Sequence, residues 1–190
     1  MSHLQSASAG LAVLLLLAGC KESRPAPVGP PATARPSAPF ADEADAGRAE
    51  LRAAPEPRTV VKVWFLDRER MRTGEEPMFV PVERSVSAKE PIRGALEALF
   101  AGPVAVEADR LKLVTSEATG FSELRVEQGI AHVRLAGGCN SGGSTATIAR
   151  EIMPTLKQFE EVQFVKIYDL SGETEQPEGR TDSIPFCLEP

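Results

Sequence analysis

Cysteine offers the most chemistry in this chain, and it occurs three times, at Cys20, Cys139 and Cys187. The two later cysteines have two readings. In an exported protein an even pair suggests a disulfide, and closing a loop of ~48 residues would stabilise the fold by about 4 kcal/mol in the chain-entropy picture. The other reading makes Cys139 a nucleophile with His132 as its base. That needs thiol and imidazole side by side and a third group fixing the tautomer. His132 lies between Ala131 and Val133, so strand alternation turns it away from the core face. The reading adopted is a structural Cys139–Cys187 disulfide, a solvated His132 and no catalytic residue.

Other candidates carry less. The glycine-rich stretch 137–143 leads toward a helix start, where an anion could bind, but it lacks the Gly-Lys-Ser/Thr ending that grips phosphate and magnesium. A tight turn that lets the disulfide close is the better reading. Ser141 and Ser144 are not framed by a nucleophile elbow. Only His132 remains as a histidine after signal cleavage, and the acidic residues do not follow a calcium-loop spacing, so neither a metal nor a cofactor is expected. Glu75-Glu76 and Glu160-Glu161 read as solvated charge. Trp64 and Phe65 read as core or interface residues.

Cys20 is different. It closes Leu17-Ala18-Gly19-Cys20, directly behind an apolar run over 11–17. That run is too short to span a bilayer, which takes about 20 apolar residues, and has the length of a signal-peptide h-region. The tetrapeptide resembles the bacterial lipobox, which implies cleavage before Cys20, diacylation of its thiol and often acylation of the new amine, palmitate being a typical chain. Two or more acyl chains hold a protein stably on a membrane. The expected organisation is a signal peptide at 1–19, a lipidated tether at 20–58 and one domain at 59–190. The tether holds half of the chain's 16 prolines and little to bury, so it is expected to remain disordered and partly polyproline II. A net charge of −6 and a pI near 5.1 argue against nucleic acid, whose binders carry a basic surface.

Within the domain, residues 59–66 read as an interior strand and 78–86 as an edge strand or loop because of Pro81. Pro91 opens a helix whose face carries Ile92, Leu96, Leu99 and Phe100, and Gly102-Pro103 ends it. Residues 104–121 read as irregular. A hairpin over 122–135 turns at Glu127-Gln128-Gly129. Ser144 or Thr145 is placed to cap a second helix that buries Ile148, Ile152, Leu156 and Phe159 and contains Pro154. Residues 162–168 form a last strand, and a polar tail follows. The order β-β-α-β-β-α-β is α+β, most simply a small mixed or antiparallel sheet covered on one face by two helices.

These residues resemble a known family. Arg93-Gly94-Ala95-Leu96 followed by Ala98-Leu99-Phe100-Ala101-Gly102-Pro103 is similar to the helix-end signature of the GerMN domain. The strand with Val63-Trp64-Phe65-Leu66 also matches, as do the hairpin turning at Gly129 and Thr155-Leu156-Lys157-Gln158-Phe159 before a strand. The resemblance covers about residues 59–168. It implies an extracytoplasmic fold similar to ring-building modules, a role in binding or assembly linked to sporulation or spore germination, and no catalytic residues. The chain departs from the family's germination protein in having one such domain rather than two, and in carrying the Cys139–Cys187 pair. The expected function is a lipid-anchored binding or assembly module on the outer side of the cell membrane or in the outer membrane. Its expected partners are the membrane, through Cys20, and another envelope protein or peptidoglycan. The alternative is an envelope enzyme, a thiol enzyme through Cys139 or a cell-wall hydrolase.

Overall fold

The β-branched run after the tether forms β1, Arg58–Asp67, and alternation sends Val61, Val63 and Phe65 into the core. The computed structural model describes residues 56–190; Cys20, the signal peptide and most of the tether lie outside the described residues. Asp67 ends the strand and caps a short helix that the sequence reading lacked, α1 (Arg68–Thr73), by accepting the Glu69 and Arg70 N–H groups at 3.0 and 3.2 Å.

Strand β2, Phe79–Ser87, pairs antiparallel with β1 and sets Pro81 opposite Trp64. The Trp64 N–H points away from β2, to Thr155 Oγ1 at 3.2 Å. Trp64 and Pro81 are therefore a pair not bonded across the ladder, and the proline nitrogen faces outward from the sheet, where a missing N–H costs nothing. Helix α2, Pro91–Phe100, packs Leu96 and Leu99 into the core. Gly94 explains its closeness to β2: a Cβ there would lie 2.8 Å from Val86 Cβ.

The stretch read as irregular contains β3 (Leu111–Lys112) and the start of β4 (Ala118–Glu127). Gln128 and Gly129 both have positive φ, 51° and 82°, as a two-residue hairpin loop requires, and lead into β5 (Ile130–Gly137). Helix α3, Ala149–Lys157, contains Pro154 and crosses over to β6, Phe164–Tyr168, which runs parallel to β5.

The fold is α+β in the expected element order with α1 and β3 added, and its strands are divided between two three-stranded sheets, β2-β1-β3 and β4-β5-β6. Helices α2 and α3 each touch both: α2 meets β1, β2 and β4, while α3 meets β1 and β6. The division has a local cause. Along the free edge of β1, the N–H groups of Lys62, Trp64 and Leu66 donate to Gln158, Thr155 and Glu151 of α3, at 2.7, 3.2 and 3.2 Å. A helix stripe at i, i+4 and i+7 thus occupies the edge where a further full-length strand would pair.

The tail after β6 closes the other sheet. Ser183 bonds β6 on both sides, through Ile167 N–H to its carbonyl and its own N–H to the Val165 carbonyl. Beneath it, the fully buried Lys166 donates its ammonium to the carbonyls of Gln176 and Glu178 at 2.6 and 2.8 Å.

Candidate functional site

At one end of β1, two loops enclose an open cleft of about 340 Å3. One wall is the segment from Lys112 to Glu117 between β3 and β4, and the other is the glycine-rich loop with Asn140, Ser141, Ser144 and Ala146. Leu66 and Met71 complete the lining.

The first wall is held in an uncommon shape. Ser116 and Glu117 have φ of 47° and 68°, and two successive left-handed residues that are not glycine cost on the order of 1–3 kcal/mol each. Their surroundings fix them there. The Ser116 carbonyl accepts the Asn140 N–H at 2.9 Å, and the Glu117 carbonyl accepts the Gly138 N–H at 2.8 Å. Asn140 Nδ2 donates to Glu117 Oε1 at 2.9 Å. Gly138 must be glycine, because a Cβ would lie 2.6 Å from Glu117 Cβ. Ser116 Oγ also accepts the Ile148 N–H at 3.1 Å, so it does the work at the head of α3 that Ser144 or Thr145 was expected to do. Ser144 Oγ instead bonds its own loop, at Ala146.

The second wall is pinned covalently. Cys139 and Cys187 are disulfide-bonded with their Cα atoms 5.6 Å apart, and Ser141 N–H donates to the Cys187 carbonyl at 2.7 Å. The glycine-rich loop therefore serves both the disulfide and the close approach to Glu117.

Under the cleft lies a residue that the sequence reading missed. Glu151 is fully buried. It accepts the Val114 N–H with both oxygens, at 3.2 and 3.1 Å, and the Leu66 N–H with Oε1. Burial drives its pKa up to about 8, against the opposing pull of those N–H groups and of Lys112. At neutral pH it is mostly the neutral acid, tying α3 to both β1 and the cleft wall. Its only sequence signal was a polar residue between Ala149 and Ile152 on an apolar helix face.

The remaining candidates take structural partners. His132 is half-buried rather than solvated; its Nδ1 lies 2.9 Å from Tyr168 Oη, and the two rings stack. Burial, followed by Arg125, lowers its pKa. Phe65 is in the core, while Trp64 borders a separate groove of about 330 Å3 with Met78, Met153 and Pro154. Among the described residues, no group of three or more His, Cys, Asp or Glu is placed to hold a metal ion, and no helix is long and apolar enough to cross a membrane.

Fold and cleft together define a small α+β module with two capped sheet edges and a rigid, polar, disulfide-pinned corner. A family model described as "Germane: Sporulation and spore germination" matches residues 62–175, and the chain belongs to that family. Among solved structures it is similar to the tandem GerMN domains of the sporulation protein GerM from Bacillus subtilis, at 18% identity and a TM-score of 0.43, over 77% of this chain and 51% of that one. The chain thus spans about half the length of that structure. No curated protein matches it.

Proposed function

We propose that this protein is a lipid-anchored, extracytoplasmic binding or assembly module of the bacterial envelope, tethered through Cys20 and working in sporulation or germination. The family supports the last part and the lipobox-like tetrapeptide supports the anchor. The observation that carries the preference for binding over catalysis is the occupation of its reactive groups. Cys139 is bonded to Cys187, His132 Nδ1 is held by Tyr168, and Glu151 is taken up by two backbone N–H groups. A nucleophile and its base have to be available to substrate; these side chains are committed to holding the fold.

Mass spectrometry of protein extracted from membranes tests the anchor. It should find a mature chain beginning at acylated Cys20, and Cys20→Ala should release the protein from the membrane fraction. A chain that keeps residues before Cys20 would overturn the anchor. Iodoacetamide on native, unreduced protein tests the binding reading. Cys139 should not be alkylated, and a labelled Cys139 with a thiol-dependent activity would favour an enzyme.

A further inference from the structure

We infer that the cleft between residues 112–117 and the glycine-rich loop binds a short zwitterionic peptide of the kind carried by the bacterial wall, its carboxylate at Lys112 and its amine at Glu117. The inference rests on the envelope reading only for the source of the ligand; the chemistry comes from the lining.

The hydrogen-bond inventory sets that chemistry. Ser116 and Ser141 use their hydroxyl oxygens as acceptors, for the Ile148 and Gly143 N–H groups, so each retains its own O–H to donate. Thr115 brings a further hydroxyl to the lining, and the exposed Lys112 brings a cation whose charge also acts on the buried Glu151 beneath. Ser144 already donates, to the Ala146 carbonyl. The cleft therefore offers three hydroxyl donors and one cation, which ask for an acceptor-rich anionic group such as a carboxylate. Glu117 supplies the opposite demand. Asn140 Nδ2 holds one of its oxygens, which leaves the other for a cation.

That pairing discriminates between ligands. A neutral sugar needs neither charge, and a bare phosphate would meet the repulsion of Glu117. A short peptide with free termini or with an amine-bearing side chain satisfies both. Met71, Val114 and Ala146 leave apolar surface for a small alkyl side chain, and about 340 Å3 lies within the range of small-molecule sites. The geometry is also prepared in advance. The left-handed Ser116-Glu117 pair, the Gly138 contact and the disulfide hold the donors in place before a ligand arrives, which lowers the ordering cost of binding.

The test is calorimetric titration of the full-length chain in detergent with the wall tripeptide L-alanyl-γ-D-glutamyl-meso-diaminopimelate. A tripeptide with blocked amines and carboxylates, and inorganic phosphate, serve as controls. We expect a Kd in the range of about 0.1–1 mM, at least about tenfold weaker binding for Lys112→Ala and for Glu117→Gln, and no binding of the blocked peptide. Both substitutions lie on the exposed rim, and unchanged melting temperatures will show that the variants are folded. Heat absent up to about 10 mM ligand, equal binding of the blocked peptide, binding of phosphate as tight as that of the tripeptide, or folded variants that bind like the parent would each overturn the proposal. Membrane anchoring through Cys20 is read separately, so an empty cleft on an acylated protein defeats this inference and leaves the envelope reading standing.

Discussion

Each of the two sheets closes one edge, and the two closures differ. The free edge of β1 is covered by side chains of α3, with Glu151, Thr155 and Gln158 taking the N–H groups of Leu66, Trp64 and Lys62. The edge of β6 is covered by backbone, where the tail lays Ser183 alongside Val165 and Ile167 and Cys187 ties its end to the loop before α3. An uncovered edge invites pairing with another chain. The first cap has low cost in loop closure, because its groups follow one another on a single helix turn after turn. The second is a long polar segment with few apolar anchors, and such a segment frays unless it is tied. A helix cap can rest on hydrogen bonds alone, whereas a strap needs a covalent end.

The largest effect should come from breaking the helix cap. Glu151→Ala strands the Leu66 and Val114 N–H groups in the interior, and each buried donor without a partner costs about 1–3 kcal/mol. A loss of roughly 3–5 kcal/mol is expected by denaturant titration. A loss under about 1 kcal/mol would mean that water reaches those groups.

The strap comes next. Replacing Cys139 and Cys187 by serine should lower stability by about 2–4 kcal/mol, mainly through the unfolded chain. Hydrogen exchange should quicken first at Val165 and Ile167, where the tail bonds β6, and leave Trp64 protected. Faster exchange at Trp64 in the oxidised protein than in β6 would reverse the ranking of the two edges.

A pH-dependent effect, spread over several pH units, separates the charge of Glu151 from its hydrogen bonds. The unfolded chain gives up this proton near 4.5, whereas the folded protein holds it to about 8. Deprotonation therefore favours the unfolded state within that window. Stability should fall as pH rises from 4.5 toward about 8 and level off above it. Glu151→Gln, which keeps an acceptor oxygen, should remove this part of the slope and melt well above the parent at pH 8. Thermal melts at pH 5 and pH 8 read both quantities, and an unchanged slope would show that Glu151 is ionised in the folded state at neutral pH.

The smallest effect should be at the Lys157–Asp182 ion pair, which links the end of α3 to the strap. Its side chains are about a third exposed, 36% and 35%, and surface pairs of this kind contribute about 0.2–1 kcal/mol. Lys157→Ala should shift denaturation by that much or less, and a shift above about 2 kcal/mol would make this pair, rather than the disulfide, the main fastening of the strap.

Much of this fold is written in local pattern. The alternation of Val61, Val63 and Phe65, the proline start of α2 and the two-residue turn at Gln128-Gly129 are short-range signals, each acting over a few residues through sterics or burial, whereas the even pair of later cysteines is read by count and spans 48 residues. The proposed anchor signal at Cys20 would be of the same local kind. The cleft and the two edge caps were not legible in that way. Glu151, Thr155 and Gln158 follow helical spacing, but nothing local says that their partners are strand N–H groups roughly 90 residues earlier in the chain. Ser116 lies in a stretch that reads as irregular, and only the fold sets it against Ile148 at the head of α3. Glu151 reads as a plain helix charge, and its pKa of about 8 exists only because packing removes its water. Alternation, turns and export signals are properties of neighbours along the chain. Edge satisfaction, desolvation and a strained wall arise between distant segments, and they appear only when the fold brings those segments together.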